Sequence, residues 1–220
     1  MSPEFNLIVL AALGAFGWIF ARWYFSEAQR VKRALAATPV TAVSALLEGD
    51  TVRVVGTLQR GPRTLTAPLS GRPCAVFLLR VRELRGKTWK EIVRESEAVE
   101  FAVDDGTGAV AVRPDHFELS LDDDHTERAG LWSDASDAVR ELLLARGESL
   151  EDALGLKRVL QLHEAVMEEG ERVAVRGLVT LETDPAPTTA GEGFRDRAKR
   201  KVLVPPADGA MLLSDTRRAT

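Results

Sequence analysis

The chain has 220 residues, with 29 Lys and Arg against 33 Asp and Glu, a formal net charge of −4, 45% hydrophobic and 28% charged residues, and a single Cys. These values exclude a collagen-like or low-complexity chain, a disulfide framework, a Cys-ligated zinc module and a strongly basic nucleic-acid binder, and they leave room for one or two domains. The average conceals a split, because seven of the thirteen aromatic residues fall in the first 25 positions (Phe5, Phe16, Trp18, Phe20, Trp23, Tyr24 and Phe25).

From Phe5 to Phe25 only Asn6 and Arg22 interrupt an apolar run. As a helix this run spans about 31 Å, close to the hydrocarbon thickness of a bilayer at about 30 Å. Arg22 can snorkel to the headgroups, and Trp23, Tyr24 and Phe25 suit the aromatic belt. A cleaved secretory signal would need basic residues before the run, where only Glu4 stands. The pattern predicts a transmembrane anchor over 1–25 and a basic juxtamembrane linker over 26–38. Arg22, Arg30, Lys32 and Arg33 follow the span, so the positive-inside rule predicts a single-pass membrane protein with its domain on the cytoplasmic side.

Charge is uneven beyond the linker. Residues 34–94 carry ten basic against four acidic side chains, 95–171 six against twenty-one, and 172–220 nine against six. The acidic block reads as solvated loops and faces, or as an electrostatic docking surface. Two stretches are internal copies at a constant offset of 121: Glu48 to Leu58 and Glu169 to Val179 share the pattern Glu-Gly-acid-x-Val-x-Val-x-Gly-x-aliphatic. Each follows an apolar stretch of helical spacing (Val43, Leu46, Leu47; then Leu156, Val159, Leu160, His163, Val166, Met167), with Gly49 or Gly170 suited to the left-handed helix end. Alternation then predicts a strand in each copy, with Gly56 and Gly177 at a bulge or bend.

Between the copies, Ala75 to Arg82 alternates as a strand, Trp89 to Val93 reads as another, and Val99 to Val103 and Ala109 to Val112 flank a hairpin turn at Asp104-Asp105-Gly106-Thr107-Gly108. The segment after Pro114, with Asp122-Asp123-Asp124, reads as a loop. Helices are expected over Ser136 to Arg146 and Leu156 to Glu169, and short strands at Val202 to Val204 and Met211 to Leu213. The fold class expected is α+β: a transmembrane helix, then a mainly-β, OB-like barrel over 39–215 with a helical insertion, then a tail at 216–220.

Ala67-Pro68-Leu69-Ser70-Gly71-Arg72-Pro73-Cys74, Phe101 to Gly108, and Arg146-Gly147 leading to His163-Glu164 and Gly170-x-x-Val173-x-Val175-x-Gly177 resemble the GIDE or MULAN-type ("beside a membrane") domain of membrane-anchored E3 ubiquitin ligases and prokaryotic membrane proteins. The resemblance covers roughly 39–215. It implies family-motif positions at Pro68, Leu69, Gly71, Cys74, Asp105, Gly106, Gly108, Glu164, Gly170 and Gly177. It does not carry ligase chemistry with it, because a RING finger needs about eight Cys/His ligands for two zinc ions, and one Cys and three His cannot supply them.

No catalytic, cofactor-binding or metal residue is expected. Cys74 reads as a small buried thiol, His163 as a core histidine, and the acidic run with His116 and His125 fits no EF-hand or zinc spacing. Arg195, Arg197, Lys199, Arg200 and Lys201 form a candidate polyanion contact, either for anionic lipid or for nucleic acid, although scarce aromatics and an acidic body rank nucleic acid low. The function expected is a membrane-anchored, non-catalytic binding or scaffold domain acting on a protein or lipid partner. The alternatives are a ligase-related role and an OB-type polyanion binder.

Overall fold

The computed structural model describes residues 27–130, 135–152, 155–183 and 199–215. Thirteen strands and two α-helices make up these residues, and strands account for 51% of the structure. Five strands close into a barrel: β1 (Thr51–Gln59), β6 (Phe101–Asp104), β7 (Ala109–Val112), β12 (Lys199–Val204) and β11 (Arg172–Thr183), with β11 returning to β1. The β7–β12 joint is parallel and the other four are antiparallel. Numbered along the chain, the ring runs 1-2-3-5-4-1, the connectivity of an OB-type barrel. Its inward residues alternate along each strand, as a half-buried strand requires: Val52, Val54 and Leu58 on β1, Phe101 and Val103 on β6, Val110 and Val112 on β7, and Val173, Val175 and Val179 on β11 fill one apolar core.

The two internal copies are β1 and β11, and they pair with each other. Val54 lies opposite Val175, its own equivalent, so the copies are related by a local two-fold axis through that pair. Val52 then faces Gly177, and Gly56 faces Val173. The flanking bonds obey the same symmetry. Gly49 donates its N–H to the Val179 carbonyl and Gly170 to that of Leu58, while Leu58 donates to Glu171 and Val179 to Asp50. Gly49 and Gly170 both hold a left-handed φ, at 90° and 89°, where glycine carries no Cβ penalty.

Strands β8 (Phe117–Ser120) and β13 (Met211–Ser214) extend the barrel sheet from β11. Helix α1 (Glu27–Ala37) lies against them and buries Val31 and Leu35 on Val55, Ala174 and Leu212. The stretch expected as a linker is therefore largely helical and packed on the domain.

The long excursions between barrel strands form a second sheet in the order β5 (Thr88–Ala98), β4 (Val76–Arg85), β10 (Leu160–Met167), β9 (His125–Ala129). One face carries Leu79, Val81, Ala129, Leu160 and Leu162 against helix α2 (Asp137–Ala145), which contributes Val139, Leu142 and Leu143. Ser136 caps α2 by accepting the Val139 N–H. Arg158 ties the following loop to β4 through Glu83 and Glu148; hydrogen bonds from Arg158, with Arg85 adding to them, hold the Glu83 carboxyl down at about 2.

Several expectations are corrected. The class is mainly β rather than α+β: only two α-helices occur among the described residues, and the helix expected over Leu156 to Glu169 is strand β10. Its neighbours bury the start of the strand on α2 and its end on the barrel core, so apolar residues fall on both faces and mimic a helical spacing. The loop expected after Pro114 holds β8 and β9, and the apolar stretch at Val43 is a single 3-10 turn (Val43–Ala45). Finally, no helix among the described residues is long and apolar enough to cross a membrane. The single-pass architecture and its cytoplasmic-side placement are thus not supported by this structure; the span expected at 1–25 lies outside the described residues, as does the tail at 216–220.

Candidate functional site

The motif residues of the sequence form two structural clamps. In the first, Pro68 to Gly71 make the turn between the short strands β2 (Leu65–Thr66) and β3 (Pro73–Cys74), closed by the Gly71 N–H on the Ala67 carbonyl with φ of 71° at Gly71. Glu164, on β10, has no solvent exposure and accepts the N–H groups of Leu69 (2.6 Å) and Ser70 (3.0 Å). The buried carboxylate thus substitutes for water in capping the turn. Cys74 is buried beside it, and burial, helped by the Glu164 and Glu168 carboxylates, pushes its thiol up to about 11. A thiol with so little thiolate at neutral pH is a packing group, not a nucleophile.

In the second clamp, Asp105 accepts the Val43 N–H (2.8 Å) with one oxygen and the Thr107 N–H (2.8 Å) and hydroxyl (2.7 Å) with the other. Burial opposes ionisation there, but the N–H donors of Val43, Thr107 and Gly108 and the Thr107 hydroxyl outweigh it and hold the carboxyl below its ordinary range. Gly106, at φ of 85°, turns the hairpin, and Gly108 leaves room for the Val43 side chain. Lys201 closes the other end of the same 3-10 turn by donating to the Val43 and Ser44 carbonyls. Gly170 and Gly177 belong to the symmetric β1–β11 pair; a Cβ on Gly177 would sit 3.0 Å from the Val204 carbonyl oxygen.

The basic candidate residues are distributed, not gathered. Arg200 pairs with Glu100 (3.0 Å) and approaches Glu182 (3.9 Å), which Arg113 grips with two 2.6 Å bonds. Lys201 caps the 3-10 turn, and Lys199 is exposed at the start of β12. Arg195 and Arg197 lie outside the described residues. Most of the acidic run is likewise engaged: Asp123 pairs with Arg80 and His163, Asp124 accepts the Val166 N–H, and the Asp122 N–H is bonded by Asp215.

A different surface gathers cationic side chains. On the face of the second sheet away from α2, the register aligns Arg94, Arg80, His163 and Thr126 in one cross-strand row, and Glu91, Arg82, Gln161 and Arg128 in the next. Four guanidinium groups thus stand on one flat face, with Trp89, 39% exposed, one row beyond Glu91 at the sheet edge. Arg80 and Arg94 are direct cross-strand neighbours, an arrangement of like charges that costs stability. Asp123 and Glu27 offset it in part by pairing with Arg80 and Arg94. His163 sits within the first row, beside Arg80; burial lowers its pKa against the opposing pull of Asp123, whose Oδ2 lies 3.1 Å from Nδ1. Arg82 has no ion-pair partner among the described residues and lies two strand spacings, about 10 Å, from Arg128. Such a face offers planar, fork-shaped donors to carboxylates or phosphates.

Sequence reasoning missed this face. Arg80 and Arg82 alternate visibly with apolar residues, but Arg94 and Arg128 join them only through the strand register, and β9 had no alternation strong enough to identify it. Among the described residues no cluster of three or more His, Cys, Asp or Glu has the geometry to hold a metal ion. No family model, no curated protein and no solved structure matches the chain. The likeness to the GIDE-type domain therefore gains no support from known proteins.

Proposed function

We propose that the protein is a non-catalytic binding module whose arginine-lined sheet face docks an acidic segment of a protein partner. The observation that carries this reading is the pair of cross-strand rows containing Arg94, Arg80, Arg82 and Arg128 on one face of an ordered sheet. Rigid strands hold the guanidinium groups in place before a ligand arrives, which lowers the ordering cost of binding. Carboxylates suit the face because each guanidinium can donate to both of their oxygens at once, and because an anion relieves the Arg80–Arg94 juxtaposition. The residues with reactive potential support the non-catalytic part: Cys74 is a protonated packing thiol, and the Asp123–His163 pair is used to brace Arg80.

Fluorescence titration of the full chain with a labelled polyglutamate peptide tests the proposal. Binding should weaken with added salt and fall about tenfold or more in Arg82→Ala/Arg128→Ala, each lost charge-assisted contact contributing on the order of 1 kcal/mol. Undiminished binding in that variant, or a preference for oligonucleotide or anionic vesicles over the peptide, would overturn it.

A further inference from the structure

We infer that two copies of the chain join through the outer edge of β5, forming a continuous eight-stranded antiparallel sheet about a two-fold axis between Ile92 and Val93. Strand β5 ends its sheet, and no described strand pairs with its outer edge. It is eleven residues long and mostly exposed, an open row of backbone donors and acceptors of the kind that recruits another strand.

Charges on an edge strand ordinarily deter pairing. Here their order is self-complementary. If the edge meets a copy of itself antiparallel, with Ile92 opposite the second copy's Val93, then Glu91 falls opposite Arg94 and Lys90 opposite Glu95, and the two-fold axis generates each pair twice. A regular strand could not make these matches, because residues 91 and 94 would point to opposite faces. The β-bulge between Val81 and Arg82 removes that objection. It sets Glu91 opposite Arg82 and Arg94 opposite Arg80, both on the arginine face, while Lys90 opposes Glu83 and Glu95 opposes Leu79, both on the helix side. Ile92 and Val93 both pack toward the α2 core, so they meet their counterparts on the helix side as an apolar pair. The bulge therefore puts each matched pair on a common face, as cross-strand contact requires.

Existing partners leave room for this. Lys90 and Glu91 have no ion-pair partner among the described residues, and Arg94 and Glu95, though paired with Glu27 and Arg146, keep side chains 38% and 41% exposed. An axis perpendicular to the sheet also keeps both arginine faces on the same side, so the dimer presents one doubled surface. The interface is isologous, as closed dimers require.

Sedimentation equilibrium of the full chain tests the inference. The unaltered chain should dimerise. Glu91→Lys and Arg94→Glu should each raise the dissociation constant about tenfold, because each turns two attractive pairs into two repulsive ones, and the double variant should return to within about threefold of the original. Lys90→Gln provides a further check, because it removes the charge matched to Glu95 without setting two carboxylates opposite each other at Glu83: it should weaken the dimer about threefold while leaving the thermal midpoint of the dilute monomer nearly unchanged. A monomeric unaltered chain, or a double variant as weak as its parents, would overturn the pairing.

Discussion

Glu164 is a carboxylate with no solvent exposure, and its two oxygens accept the backbone N–H groups of Leu69 and Ser70. Removing it leaves a buried donor at Leu69 and a half-buried one at Ser70 without an acceptor. Glu164→Ala should therefore lower the unfolding free energy by about 3 kcal/mol in denaturant titration, whereas Glu164→Gln, which retains a carbonyl acceptor, should cost about 1 kcal/mol. Asp215 shows the opposite kind of carboxylate. Burial, together with the nearby Asp122 and Asp124, raises it from 3.8 to about 7. Between those values the folded chain holds a proton that the unfolded chain has released, so this group's contribution to stability falls as pH rises through the window. Asp215→Asn keeps an oxygen for the Asp122 N–H and removes the titration. Its thermal midpoint should exceed that of the unaltered chain at about pH 8, with the difference shrinking toward about pH 5.

At the scale of elements, the internal repeat was legible because both copies need the same glycines at the same places. What the sequence could not show is that the copies pair with each other, since register depends on which residues meet across the barrel. The two glycines are equivalent by symmetry but not by surroundings. A Cβ on Gly56 would lie 2.4 Å from the Asp104 carbonyl oxygen, where β6 crosses close to β1, while at Gly177 the nearest backbone atom is 3.0 Å away. Gly56→Ala should cost about 3 kcal/mol and Gly177→Ala about 1 kcal/mol, compared by chemical denaturation. The hairpin at Asp104–Gly108 and helix α2 were equally readable, because turn glycines and the Ser136 cap are local signals. Strand β10 was not. Its apolar residues change face midway, from Leu160 and Leu162 on the α2 side to Ala165 and Met167 on the barrel core, so no single period of two runs through the strand. Strands β8 and β9 escaped because each is five residues or fewer and polar on one side.

For the whole molecule, the closed ring and the four-stranded sheet are built from alternating pieces of chain, so charges distant in sequence become neighbours. The acidic and basic segments, so distinct along the chain, interleave in space: Arg80 meets Asp123, Arg200 meets Glu100, and Arg72 meets Glu168. The basic cluster near the chain's end is tied, among the described residues, to Glu100 through Arg200 and to the 3-10 turn through Lys201. The arginine face proposed as the docking surface arises only when β5, β4, β10 and β9 come into register. Hydrogen–deuterium exchange of the full chain, with and without a polyglutamate peptide, tests that assignment most directly. Added peptide should slow exchange in β4, β9 and β10 and leave the barrel hairpin β6–β7 unchanged; protection confined to the barrel, or absent from β9 and β10, would contradict it.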